Sequence, residues 1–166
     1  MAIPNIQQSV IQEQKIIFAT LMILIQRKNH LKMLKQRPIQ SFAAHIAACL
    51  SEYEKAVKNG ADPETLSRLN WAFHTAMCEP ANRPRMMAIV VSLYTATDRY
   101  LRLQINRPGA KAKALKDHRV IFEAYQDKRA AEVGKLIKAH IMGAYDDVMS
   151  RLKDSLDSEL PASARR

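Results

Sequence analysis

The chain has 166 residues, which is enough for one domain with a hydrophobic core and too few for two. With 48% hydrophobic residues, 25% charged residues, four glycines and no alternating Val/Ile/Thr-rich run between hairpin turns, the composition predicts helices and no β-sheet. The formal charge of +10 is spread along most of the chain and comes with few aromatic residues, a distribution that favours a solvated surface over direct binding of nucleic acid.

The first 40 residues are apolar and then basic, and we expect one or two helices that end before Pro38. The longest apolar run, residues 16–25, is about half as long as a transmembrane helix, and no basic segment precedes it as in a signal peptide. These features predict a cytoplasmic protein without membrane contact. Cys49 and Cys78 lie inside helical patterns and are expected to be buried free thiols, as a reducing compartment permits.

Apolar residues that recur every three to four positions predict five further helices, over about residues 41–58, 63–78, 85–105, 115–126 and 133–152. Ser41, Asp62 and Asn82 are the predicted N-caps of the first three. Together with the N-terminal segment, these helices predict an all-α antiparallel bundle of six to seven helices. The predicted organisation is an N-terminal helical segment (1–40), one domain (41–156) and a flexible tail (157–166).

Three of the five histidines lie on or beside the apolar stripe of their helices, namely His74, His118 and His140. Burying three imidazoles without partners would be costly, and one divalent ion could satisfy all of them, since neutral imidazole suits Zn, Ni and other first-row metals. Asn70 lies one helical turn before His74 and could add an oxygen ligand on the same face. The pattern points to a metal site, with hydrogen-bonded core histidines as the alternative.

A catalytic metal site would also need a general base near an open coordination position. No HExxH sequence, nucleophile elbow or phosphate-binding glycine loop occurs in the chain. Asp117 and Glu123 lie near His118 in sequence, but their positions predict that they project from other sides of that helix. We therefore expect no enzymatic activity. A metal-dependent enzyme on a helical bundle stays open as an alternative, as does a basic adaptor that uses residues 27–37 on nucleic acid or an acidic membrane.

Four blocks of sequence together resemble one protein family, and their order and spacing agree from about residue 41 to residue 152: Asn70–His74, Glu79–Arg85, Asp117–Ala131 and Lys138–Ile141. The family is the FadR C-terminal (FCD) ligand-binding domain of GntR-family transcriptional regulators. The resemblance implies an all-α domain that binds an effector, commonly a small organic acid, and forms a homodimer. It also implies a buried divalent metal ion such as Zn, Ni or Mn.

Carried over residue by residue, the resemblance makes Asn70, His74, His118 and His140 the metal ligands. The family usually has Asp at the position of Asn70, and a neutral amide is a weaker ligand for a hard cation. The winged helix-turn-helix with which family members begin has no counterpart in this sequence, so we expect DNA binding only through such a domain. Arg99 and Arg102 are expected to reach an anionic effector if their helix face points inward, with surface arginines as the alternative.

Overall fold

The protein, for which we use a computed structural model, is described over residues 39–159, with side chains described over residues 42–150. This part contains no strand and folds into five α-helices, which we number α1 (Ile39–Lys58), α2 (Pro63–Cys78), α3 (Pro84–Ile105), α4 (Ala110–Gln126) and α5 (Ala130–Glu159). The all-α prediction is confirmed. The count is lower than the six to seven predicted, and the one or two helices expected before Pro38 lie outside the described residues.

The helix boundaries follow local signals where those signals are unambiguous. Asp62 caps α2 as predicted, because its Oδ1 accepts a hydrogen bond of 2.8 Å from the backbone N–H of Thr65, and Pro63 fills the first helical position. Ser41 is not a cap, since α1 already includes Ile39. Helix α5 continues to Glu159, past the residue at which the tail was predicted to begin.

The predicted cap of α3 by Asn82 is wrong. A short 3₁₀ turn, Glu79–Ala81, follows α2, and Asn82 ends that turn in the left-handed conformation with φ of 46°. Arg83 occupies the N-cap position of α3 and makes no side-chain capping bond. Asparagine is favoured both at N-caps and in left-handed turn positions, and here the turn uses it.

The helices pack around one main core. Helix α1 lies against α2 and α4, α2 against α3, and α5 against α3 and α4, with short connections between successive helices as in an antiparallel bundle. The main core combines residues from all five helices, including Ile46, Phe73, Val90, Ile121 and Ile137. Both cysteines are buried free thiols, as predicted. None of the described helices is both long enough and apolar enough to cross a bilayer.

The packing brings side chains of three helices, α2, α4 and α5, together beside the main core. Helices α4 and α5 form a hairpin closed by a tight turn in which Lys128 has φ of 59°. Helix α2 reaches this hairpin through Phe73, which packs on the ring of His118 with centroids 4.6 Å apart. The place where α2, α4 and α5 meet is where polar side chains enter the core.

Candidate metal centre

Three histidines from three helices converge inside the bundle, and we call them the histidine cluster: His74 on α2, His118 on α4 and His140 on α5. Their ring centroids are 4.8 to 5.3 Å apart in all three pairs. One nitrogen from each ring can be chosen such that all three nitrogens lie within 4.8 Å of one another. The histidines selected from the sequence by their helix faces are thus neighbours in space.

The hydrogen bonds of the cluster assign a tautomer to His140. Its Nδ1 lies 3.1 Å from Oδ2 of Asp117, and because a carboxylate only accepts, Nδ1 carries the proton and donates it. With the proton on Nδ1, the Nε2 of His140 offers a lone pair, which accepts a hydrogen bond from Nε2 of His118, 3.3 Å away, when no metal is bound. His140 therefore presents its metal-binding nitrogen to the interior of the cluster.

Burial keeps two imidazoles of the cluster, those of His74 and His118, uncharged. His118 is fully buried and His74 nearly so. Burial, assisted by the nearby His140, lowers the pKa of His74 to about 3. Burial, followed by the nearby His140 and His74, lowers the pKa of His118 well below its ordinary value. The two imidazoles are consequently neutral near pH 7, which is the form that binds a metal ion.

The donor set fits a divalent metal ion. Bonds of about 2.0–2.1 Å to a tetrahedral zinc ion place two ligand nitrogens about 3.3–3.4 Å apart, and the Nε2 atoms of His118 and His140 are 3.3 Å apart. The second ring nitrogen of His118, Nδ1, is buried and has no hydrogen-bond partner. Buried polar atoms without a partner are rare in folded proteins. An ion bound at Nε2 would not reach Nδ1 of the same ring, so a buried water is the partner that Nδ1 could take.

Asp117 is the residue that the sequence did not assign to the site. It projects from a different side of α4 than His118, as predicted, but α5 brings His140 to it. The hydrogen bond from His140, followed by the bond from Lys113, lowers the pKa of Asp117 to about 2 against the opposing effect of burial. Glu123 is exposed and stays away from the cluster. The i, i+4 spacing of Lys113 and Asp117 was the available signal for this pair.

A small cavity adjoins the cluster. Its volume is about 20 Å³, and it is lined by residues from α1 to α5, including Tyr53, Asn70, Gln104, Lys113, Asp117 and His140. A space of this size holds about one water molecule. Asn70, the fourth predicted ligand, therefore shares a cavity wall with His140.

A second set of polar side chains joins α2 to α3, and we call it the α2–α3 network: Ser67, Tyr94, Asp98 and Arg102. The buried hydroxyl of Ser67 donates to Oδ1 of Asp98, and Nε of Arg102 donates to Oδ2 over 2.7 Å. The Tyr94 hydroxyl lies 3.0 Å from the backbone oxygen of Ser67, and its ring stacks on Trp71. Each polar group of this network has a partner within it.

The two arginines predicted to meet an effector lie away from the cavity of the cluster. Arg102 is paired with Asp98 and, over 3.1 Å, with Glu64. Arg99 is exposed and lies with its guanidinium 4.6 Å from the ring centroid of Tyr100. Both line an open surface pocket of about 540 Å³ that shares no lining residue with the cavity beside His140.

Comparison with known proteins gives one match. The model of the FCD domain family matches residues 33–143, a span that includes the histidine cluster, Asn70 and Asp117. No curated protein and no solved structure matches the chain.

Proposed function

Because the chain belongs to the FCD domain family, we propose that it is the effector-binding and dimerisation domain of a GntR-family transcriptional regulator, with a divalent metal ion held by the histidine cluster. The observation that carries the proposal is the convergence of three histidines from α2, α4 and α5, two of them buried and His140 partly buried, with Nε2 atoms of His118 and His140 3.3 Å apart. Few structural roles require three imidazoles at one point of a core.

The proposed metal ion is Zn, Ni or Mn. Three imidazoles suit Zn and Ni, whereas Mn more often takes oxygen ligands such as the amide of Asn70. Asn70 is the proposed fourth protein ligand, through its amide oxygen. Its support is the cavity wall that it shares with His140 and its position one turn before His74 on α2. A metal bound in this way would tie α2, α4 and α5 together.

The proposed effector is a small organic acid that binds beside the metal. The cavity of about 20 Å³ is too small for it, so entry requires a wall residue to move. Lys113 is the candidate for that movement, because its side chain is 53% exposed and the residue lines the cavity. If Arg99 and Arg102 contribute to effector binding, as their sequence positions predict, the bound molecule must also reach the pocket on α3.

Regulation would follow from a shift in the equilibrium between two arrangements of a homodimer. A ligand that bridges α2, α4 and α5 changes that equilibrium only by the difference in its affinity for the two arrangements. DNA would be read by a winged helix domain attached to the sensor, and metal and effector binding can be measured without it.

In the alternative of a metal-dependent hydrolase, Asp117 would be the general base, because it is the carboxylate in contact with the histidine cluster among the described residues. A general base works best with a pKa near the operating pH, whereas hydrogen bonds from His140 and Lys113 hold the pKa of Asp117 at about 2. Its Oδ2 is already occupied by both donors. These contacts favour a binding role for the site over catalysis.

The proposal is tested by the metal content of the purified chain after reconstitution with Zn and removal of free ions. We expect about one ion per chain for the wild type, as one three-histidine site requires, and none for His118→Ala. His45→Ala is the matched control, because His45 is exposed and lies 3.7 Å from Glu79 on the surface. Equal metal content in wild type and His118→Ala would refute the site.

The effector is addressed by thermal unfolding in a panel of small carboxylic acids, with and without metal. A ligand at about 100 times its Kd stabilises the folded chain by about 2.7 kcal/mol. We expect at least one acid to raise the unfolding temperature of the metal-loaded protein and not that of His118→Ala. A panel without such an acid would contradict the organic-acid part of the proposal and leave the metal part standing.

A further inference from the structure

The proposed metal site has no anionic ligand. Its protein donors would be three imidazoles and the amide of Asn70, and none of these groups carries a negative charge. A divalent cation inside a protein is costly unless negative charge lies close to it. Asp117 is the carboxylate that contacts the histidine cluster within the described residues.

The geometry places Asp117 behind His140 as seen from the cluster. The carboxylate accepts a hydrogen bond from Nδ1, 3.1 Å away, whereas Nε2 on the other side of the ring is directed toward His118. Asp117 therefore lies outside the inner coordination sphere. The side chain of His140 is 11% exposed and that of Asp117 27%, so water screens their interaction only in part.

We propose that Asp117 is the positioning residue of the metal site and the source of its negative charge. It fixes the tautomer of His140 with the Nε2 lone pair directed at the metal, and it makes that imidazole more electron-rich through the Nδ1 hydrogen bond. The amide of Asn70 brings no negative charge to the metal, and Asp117 supplies that charge from outside the coordination sphere. This inference rests on the proposed function, because it requires a metal ion in the cluster.

Lys113 opposes this role and provides a control. Its ammonium group lies 2.8 Å from the same Oδ2 of Asp117 that His140 contacts. Gly143 leaves room for it, because a Cβ at that position would lie 3.2 Å from the lysine Nζ. Lys113 partly neutralises Asp117, so its removal should leave metal affinity unchanged or increase it. If the carboxylate only stabilised α4 through its i, i+4 ion pair, removing Lys113 or Asp117 would have the same effect.

The experiment measures Zn affinity by competition with a chromophoric chelator in the wild type, Asp117→Asn, Lys113→Met and the double variant Asn70→Asp/Asp117→Asn. Loss of an outer-sphere partner typically weakens metal binding about 10–100-fold, and we expect a loss of that size in Asp117→Asn with about one ion still bound at saturation. The double variant should recover at least about 10-fold by the same reasoning, because Asn70→Asp returns a carboxylate to the site from another helix. Lys113→Met should show no loss.

Circular dichroism identifies any variant that fails to fold, and the isosteric Asp117→Asn change at a partly exposed position keeps the hydrogen-bond acceptor. If Asp117→Asn bound Zn as tightly as the wild type, the inference would be overturned and the proposed metal site would stand. The same conclusion would follow if Lys113→Met lost as much Zn affinity as Asp117→Asn. Absence of recovery in the double variant would contradict the charge-supplying role. A wild type that binds no Zn would overturn this inference and the metal site together.

Discussion

Helix α2 carries polar side chains into two interfaces, and the two sets differ in how completely they are satisfied. Toward α3 it presents Ser67, whose buried hydroxyl donates to Asp98, a carboxylate that also accepts from Arg102. Toward α4 and α5 it presents His74, whose ring lies against those of His118 and His140, and Nδ1 of His118 has no partner among the described residues. The α2–α3 network contains both signs of charge, whereas the only carboxylate in contact with the histidine cluster, among the described residues, is that of Asp117.

The difference separates a structural polar group from a binding site. A buried network in which every donor has an acceptor stabilises one arrangement of two helices and needs nothing further. A cluster in which a buried nitrogen lacks a hydrogen-bond partner carries a desolvation cost, which a metal ion or a donor such as water can offset. The comparison predicts that the cluster responds to metal and that the α2–α3 network does not.

The largest expected effect is the stabilisation of the chain by metal. At a free Zn concentration about 1,000 times the Kd, binding to the folded state alone raises the free energy of unfolding by about 4 kcal/mol. We expect this gain in the wild type and its disappearance in His118→Ala, measured by urea unfolding with and without Zn. The exposed His45 serves again as the control site, and His45→Ala should keep the full gain.

A change in the α2–α3 network should lower the stability of the chain without affecting metal binding. Asp98→Ala removes the carboxylate that accepts from Ser67 and Arg102, while Ser67 keeps the Tyr94 hydroxyl at 2.8 Å and Arg102 keeps Glu64. Hydrogen bonds to a charged group contribute about 1.5–3 kcal/mol, and we expect a fall of about 2 kcal/mol in the free energy of unfolding with unchanged Zn affinity. A loss of Zn affinity in Asp98→Ala would show that the two regions are coupled and would break the comparison.

The pH dependence of the metal-free chain should separate the two regions again. The pKa of His74 is about 3 in the folded protein and about 6.5 in an unfolded chain, so the unfolded chain binds more protons between these values. Stability must therefore fall as pH falls below about 6.5, by up to about 1.4 kcal/mol per pH unit for one such histidine. Urea unfolding in a chelator at pH 7, 6 and 5 measures this slope, and His74→Gln should reduce it.

Asp98 should contribute nothing to that slope. Burial raises its pKa, but hydrogen bonds from Ser67, Arg102 and Tyr94 outweigh burial and hold the pKa below the ordinary value. An aspartate in an unfolded chain has a pKa of about 4. The contribution of Asp98 to stability is therefore complete above about pH 4 and is lost only as pH falls through its lower pKa in the folded protein. If Asp98→Asn changed the slope of the unfolding free energy between pH 7 and pH 5 and His74→Gln did not, the pH dependence would have to be assigned to the α2–α3 network.

The sequence predicts most of the fold because its helix signals are local. Asp62, Pro63 and Glu64 begin α2 through a side-chain cap, a fixed φ and an acid in the first turn, none of which requires the rest of the chain. Asn82 was misassigned because one residue type serves two local structures, and only the path of the chain between α2 and α3 selects the left-handed turn.

The candidate site could be predicted only in part, for a geometric reason. Periodicity assigns a residue to a face of its own helix, and that was sufficient for the three histidines, because each lies on or beside an apolar face. Asp117 points away from that face, and its contact with His140 depends on the rotation and crossing of α4 and α5. A single sequence does not encode this relation in a readable spacing.

The central claim is that the histidine cluster binds a metal ion, and zinc K-edge X-ray absorption of the reconstituted wild-type chain tests it most directly. The account predicts imidazole nitrogens at about 2.0–2.1 Å from the zinc and no sulfur in its first shell. Sulfur at about 2.3 Å would place the ion at Cys49 or Cys78 instead, and a spectrum without imidazole scattering would contradict the account.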